Sequence, residues 1–265
     1  MRFIGAHISK DAFGILASLE KWESHANCFQ IFLGSNIGRV TDRMYKKMLD
    51  EAADVKQFLK DKNMQLYIHL PYTVNMAKDE VQDIIRELEI AGLCGVKGCV
   101  LHVGKHVEKT VVEGEALMLA NIKACIKQMK EKKIETKIYI ETAAGQGTEL
   151  IVSPEAFNAF IAKFDKDEMQ YIGTCLDTAH VWAAGWDMET ALEMMSPDLV
   201  HFNNSKVRHG SRVDRHANLE DGMIPVNILQ QMAKVCATRA IPMILETPLC
   251  ILEVPVLVKW AGGST

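Results

Sequence analysis

Histidine, aspartate and glutamate recur in this chain where short apolar runs end. In order they are His7, His69, His102, Glu141, Asp177, His201 and Glu246. Two motifs add to them. Asp177-Thr178-Ala179-His180 sets an imidazole shortly after a carboxylate, and Asp214-Arg215-His216 sets another such pair on the same side of an extended loop. Imidazole and carboxylate together are the ligand set of Zn²⁺, and less selectively of Mn²⁺ or Fe²⁺. A lone histidine at a strand end is more often a core or supporting group, and His7 is read that way. His25, His106 and His209 follow no apolar run and read as surface residues. His69, His102, Glu141, Asp177, His180, His201, Asp214, His216 and Glu246 remain. A single catalytic zinc takes about three protein ligands, so this set suits roughly two or three ions with one ligand shared. Closely spaced ions favour phosphoryl chemistry: they bind the anionic phosphate, lower the pKa of a bound water and steady the leaving oxygen.

Residues so far apart in sequence meet only if the fold gathers them. The candidate strands are Phe3–His7, Cys28–Leu33, Leu66–His69, Cys99–His102, Ile138–Glu141, Ile172–Asp177, Leu199–Phe202 and Pro242–Glu246. Several are continuous apolar runs, the pattern of parallel strands covered on both faces. Amphipathic segments lie between them: Thr41–Lys60, Lys78–Leu93, Glu113–Lys132, Pro154–Phe164 and Pro225–Thr238. In Asp79–Leu93 the residues Val81, Ile84, Ile85, Leu88 and Ala91 keep helical spacing. Pro154, behind Ser153, and Pro225 suit first helical turns. The alternation predicts an α/β fold, a (β/α)₈ TIM barrel, whose strand ends converge on one face where active sites sit. A doubly wound open sheet does not naturally supply eight such units. Residues 1–265 are expected to form one domain.

The chain is 48% hydrophobic and 24% charged, a balance that supports a sizeable core. Its formal net charge of −4 argues against gripping nucleic acid by bulk charge. Such binding would need a local patch, and one exists: Lys206-Val207-Arg208-His209-Gly210-Ser211-Arg212-Val213-Asp214-Arg215-His216. Charge runs are usually solvated, but this one ends in two candidate ligands, so its cations would flank the ions where a phosphate backbone arrives. There is no phosphate-binding loop, no dinucleotide fingerprint after the first strand and no GxSxG elbow. The seven cysteines are scattered without a CxxC and read as buried free thiols in a reducing compartment. The opening residues carry no long apolar region, and no stretch approaches the roughly 20 apolar residues of a membrane span. A cytoplasmic protein is expected.

Taken together, the motifs resemble one family over almost the whole chain. Ile4-Gly5-Ala6-His7-Ile8-Ser9 looks like the GAHxS opening of the endonuclease IV family of metal-dependent abasic-site endonucleases. His69-Leu70-Pro71-Tyr72-Thr73-Val74-Asn75 looks like its HxxYxxN, and His102-Val103-Gly104 its HPG with valine for proline. Glu141-Thr142-Ala143-Ala144-Gly145-Gln146-Gly147 resembles ENTAGQG, and the run from Cys175 to Asp187 resembles CLDTCHxFAAGYD. His201-Phe202-Asn203-Asn204-Ser205-Lys206 resembles HLNDSK, and Arg212-Val213-Asp214-Arg215-His216 matches RxDRH. Thr142 and Asn204 depart from the pattern at positions that are not ligands.

The resemblance implies a trinuclear zinc site. His69, His102 and Glu141 would hold one ion. Glu141, as the catalytic bridging residue, would share a second with Asp177, His201 and Glu246, and His180, Asp214 and His216 would hold the third. It further implies hydrolysis of the phosphodiester 5′ to abasic sites in double-stranded DNA by a zinc-activated hydroxide, and removal of blocking groups from damaged 3′ ends. Tyr72 matches a residue that the family inserts into DNA; the strand-two loop Gly34–Val40 is less typical, with Arg39 a candidate for another. Lys206, Arg208, Arg212 and Arg215 are expected at the phosphates. A monomer is expected. The competing function is a metal-dependent sugar isomerase or epimerase of the same barrel superfamily. It needs one or two ions, and leaves the His180, Asp214 and His216 set without a purpose.

Overall fold

A computed structural model describes residues 2–78 and 84–263. Eight strands close into an all-parallel barrel. They are β1 (Ile4–His7), β2 (Cys28–Ile31), β3 (Gln65–His69), β4 (Gly98–His102), β5 (Ile138–Glu141), β6 (Ile172–Asp177), β7 (Leu199–His201) and β10 (Met243–Leu245). Each pairs with its sequence neighbour, and β10 closes on β1 through Ile4 to Ala6 against Met243 to Leu245. This is the (β/α)₈ TIM barrel read from the sequence. A short antiparallel hairpin, β8 (Asn204–Ser205) with β9 (His216–Ala217), stands outside it.

The helices are α1 (Ile15–Trp22), α2 (Asp42–Asp61), α3 (Ile85–Leu93), α4 (Val111–Lys132), α5 (Pro154–Ile161), α6 (Thr178–Ala184), α7 (Met188–Met195), α8 (Val226–Thr238) and α9 (Val254–Trp260). Their starts follow local chemistry. Thr110 and Glu113 cap α4 reciprocally, and Ser153 accepts the Ala156 N–H ahead of Pro154 in the first turn of α5. Pro225 stands one residue before α8 rather than inside it. The expected helix Lys78–Leu93 is described only from Ile85, and Asp79 to Asp83 lie outside the described residues. Among the described residues no helix is long and apolar enough to cross a membrane. All seven cysteines are free, and six are buried.

Alternation along the strands builds the interior. A buried cluster of Cys28, Tyr67, Val100, Tyr139, Cys175, Leu199 and Ile244 fills the barrel. Two residues further along each strand come Gln30, His69, His102, Glu141, Asp177, His201 and Glu246. The polar layer therefore lies directly on an apolar plug. Tyr139 fits because Gly98 and Gly173 stand beside it: a Cβ at either would fall 2.3 or 2.8 Å from its ring. The Tyr67 ring meets Tyr139 edge-on at 5.4 Å.

Candidate metal centre

Glu141 is fully buried at the end of β5, and its two carboxylate oxygens face different neighbours. Oε2 lies 3.1 Å from His102 Nε2 and 3.4 Å from His69 Nε2. Oε1 lies 2.9 Å from His201 Nδ1 and 3.5 Å from His180 Nδ1. His201 Nδ1 is also 3.2 Å from Glu246 Oε2. Asp177 ends β6 and caps α6: Oδ1 accepts the Ala179 and His180 N–H groups at 2.7 and 3.0 Å. Its Oδ2 accepts from Asn203 Nδ2 at 2.8 Å and faces His216 Nε2 at 3.5 Å. The β8–β9 hairpin returns the chain to the mouth, where Asp214 meets His180 Nε2 at 3.3 Å and His216 Nε2 at 3.2 Å.

Charge and burial in this layer oppose each other. Burial would raise the Glu141 pKa, but His201 and His102 hold it well below the carboxylate range. Burial would lower His201 and His180, yet the surrounding acidic groups raise both well above ordinary histidine, led by Cys175 and Glu246 for one and by Asp177 and Asp214 for the other. His216 opposes burial through Asp177 and Asp214 and is pushed up to about 9. The carboxylates thus favour positive charge in a largely buried layer. Three buried atoms here, His69 Nε2, Glu141 Oε2 and His216 Nε2, have no hydrogen-bond partner. Orphaned donor atoms around shared space are costly unless a cation accepts them. Ligand atoms of His69, His102 and Glu141 lie within 4.8 Å of one another, as do those of Glu141, Asp177, His201 and Glu246, and those of Asp177, His180 and His216. The donor set fits zinc.

The nine residues expected as ligands therefore gather at one mouth: six at the strand ends, with His180 on α6 and Asp214 and His216 carried in by the loop and hairpin after β7. His7 stands aside, half-buried against Phe32 and 3.4 Å from Glu246. Tyr72 is 49% exposed and stacks on His102, with centroids 5.2 Å apart. It lines a cleft of about 350 Å³ with Asn75, Lys105, Gln146, Asp214 and Arg215. Of the expected cations, Arg215 lines this cleft, while Lys206, Arg208 and Arg212 are exposed on the same loop. Arg212 takes a left-handed φ of 55°, fixed by its N–H donating to the Ala183 carbonyl at 2.8 Å. In the strand-two loop Ile37 is the exposed side chain, at 67%, whereas Arg39 is half-buried and acts on the Glu87 carboxylate.

Residues 23–249 match the family described as xylose isomerase-like TIM barrel. The "Probable endonuclease 4" of Mycoplasmopsis agalactiae is 30% identical over 266 aligned residues, covering 92% of this chain and 91% of that protein. The chain belongs to the endonuclease IV family. Solved structures share its fold, among them the following two. Endonuclease IV from Thermus thermophilus is 22% identical with a TM-score of 0.76, covering 98% of this chain and 99% of that one. A D-tagatose 3-epimerase-like protein is 16% identical with a TM-score of 0.69, covering 98% and 96%. The barrel is thus shared with an epimerase-like protein, so the fold by itself assigns no activity.

Within this endonuclease IV family member, several polar residues at the mouth escaped the sequence reading. Gln30 occupies the strand-two position where the other strands carry a charged group or imidazole. Gln146 Oε1 accepts the Asp214 N–H at 2.9 Å, tying the loop after β5 to the loop that carries Asp214. Asn75 bridges to Lys105, whose N–H it accepts at 2.9 Å and whose carbonyl it bonds at 2.9 Å. The available signal was positional: Gln30 follows Cys28 by two, and Lys105 follows His102 by three.

Proposed function

We propose that this chain is a DNA repair endonuclease. It hydrolyses the phosphodiester 5′ to an abasic site, leaves a 3′-hydroxyl, and removes blocking groups from damaged 3′ ends. The observation that carries the reading is the split environment of Glu141, one oxygen toward His69 and His102 and the other toward His201. A carboxylate so placed suits the bridge between two ions. His69, His102 and Glu141 would hold one zinc; Glu141, Asp177, His201 and Glu246 a second; His180, Asp214 and His216 the third. Mn²⁺ and Fe²⁺ are substitutes of suitable chemistry. When bound, the ions supply Lewis-acid charge to the phosphate and acidify a water.

The chain's own groups orient this set. His69 Nδ1–H donates to the Leu70 carbonyl at 2.6 Å and His180 Nδ1–H to the Thr142 carbonyl at 2.8 Å, so both rings turn Nε2 into the cavity. Asn203 holds the Asp177 carboxylate and accepts the Glu246 N–H at 2.8 Å. Arg215 would meet the phosphate in the cleft, with Lys206, Arg208 and Arg212 along the neighbouring backbone. Tyr72 presents a ring that packs against an opened base stack, worth about 1–3 kcal/mol.

The name carried by the relative at 30% identity supports a nuclease over a sugar epimerase. So does the His180, Asp214 and His216 set, which a polyol enzyme does not need. The test is incision of a duplex holding one abasic analogue, with zinc and with chelator. Cleavage on the 5′ side, abolished by chelation and restored by zinc, is expected. No incision by zinc-replete protein would overturn the proposal.

A further inference from the structure

The histidines of this layer do not all point the same way. His69 and His180 donate from Nδ1 to backbone carbonyls and offer Nε2 inward. His201 is reversed: Nδ1 faces Glu141 and Glu246, and Nε2 lies 2.9 Å from Gln30 Oε1. Gln30 is fully buried. Its amide nitrogen lies 2.6 Å from Glu246 Oε1 and 3.0 Å from His7 Nδ1.

These contacts fix the amide's orientation. Turning it over would set the carbonyl oxygen against the Glu246 carboxylate, two acceptors at 2.6 Å, so the nitrogen must face Glu246. The oxygen then faces His201 and can only accept, so His201 carries a proton on Nε2. Of the two amide hydrogens, one goes to Glu246 and the other to His7 Nδ1, which must accept and so places the His7 proton on Nε2. One neutral side chain thereby satisfies three bonds and dictates the form of two rings.

We infer that Gln30 is a positioning residue for the metal centre: it holds His201 with Nδ1 as the ligand atom and Nε2 protonated, and aims Glu246 at the same ion. The inference rests on the metal-site reading of the proposed function and deepens it. Such supporting partners typically contribute about 10–100-fold to metal affinity.

The test uses the full chain loaded with ¹¹³Cd and labelled with ¹⁵N-histidine. The expected result is a cadmium–nitrogen coupling on Nδ1 of His201 and on Nε2 of His69, with a slowly exchanging His201 Nε2–H. In Gln30→Met, which keeps the volume and loses the polar atoms, that Nε2–H should exchange freely. Zinc affinity by chelator competition should fall about 10–100-fold. Gln30→Glu keeps an acceptor for His201 but sets a like charge on Glu246; it should retain the Nε2–H signal. Coupling through His201 Nε2 in the wild-type chain would overturn the inference at once, whatever the variants do. Unchanged Nε2–H exchange and zinc affinity in Gln30→Met would overturn it too. If cadmium and zinc do not bind at all, the metal-site reading itself has failed, an outcome distinct from binding at full stoichiometry with the wrong nitrogen.

Discussion

Replacing Glu141 with glutamine changes one oxygen to an amide nitrogen inside a fully buried layer. The anion now has contacts of 2.9 Å to His201 and 3.1 Å to His102 on its two sides. An amide can satisfy one side as an acceptor but must turn hydrogens toward the other, and it carries no charge to share. At an effective dielectric of about 20, opposite charges some 3 Å apart attract by about 5 kcal/mol. Breaking one side of a buried pair typically costs about 3–5 kcal/mol. At about 1.4 kcal/mol per tenfold, that is a loss of roughly 10²–10⁴ in rate if it all falls on the transition state. Loss of an ion would add to it. The expected outcome of Glu141→Gln is therefore incision reduced by about 10³ or more, zinc content lower by at least one ion per chain, and an unchanged circular dichroism spectrum. Single-turnover incision of abasic duplex and elemental analysis on the same preparation measure both. A variant that keeps about a tenth of the wild-type rate, outside the range expected for such losses, would refute the bridging role.

Three further outcomes are expected. Purified protein should carry between two and three zinc ions, given ligands for roughly that number, and elemental analysis showing one or fewer at saturation would reject the trinuclear arrangement. Arg208→Ala and Arg212→Ala should each reduce the log–log salt slope of binding to abasic duplex by about one, and slopes equal to wild type would leave the ions as the main anchor. Glu87, buried in α3 with Oε2 lacking a partner, has its pKa raised by burial. A carboxyl raised in the folded state favours folding below the unfolded pKa and loses that advantage as pH rises through the folded value. Glu87→Gln should thus stabilise at pH 8 by on the order of 1 kcal/mol, about 2–4 °C in Tm, with the gain vanishing near pH 4; a lower Tm at pH 8 would count against it.

Strands were legible where both faces are buried, because parallel strands covered by helices read as apolar runs. The polar layer was legible for a related reason: one ionisable residue closing an apolar run is often a supporting group, but the same feature repeated at run after run is not easily explained that way. Short helices were not. α6 begins at Thr178, inside the Asp177 to His180 motif, so the residue that ends β6 also caps the next helix and carries a candidate ligand. A periodicity argument needs more than one or two turns to register, and α1, α6 and α7 offer only that. The β8–β9 hairpin has two residues a side, too few for alternation, so nothing local revealed how His216 returns to the mouth. Gln30 was passed over because a neutral amide is not a ligand type. Its role lies in what it bonds, and that depends on residues more than 150 positions away.

The glycines that make room for Tyr139 bear on traffic as well as packing. With Tyr139 and Tyr67 wedged edge to face beneath the polar layer, the described residues leave the barrel no back door. The polar layer therefore opens on the side where Tyr72 lines the cleft. If the proposed function holds, a bound duplex would cover that opening, and an ion seated beneath it should exchange more slowly with substrate bound than without.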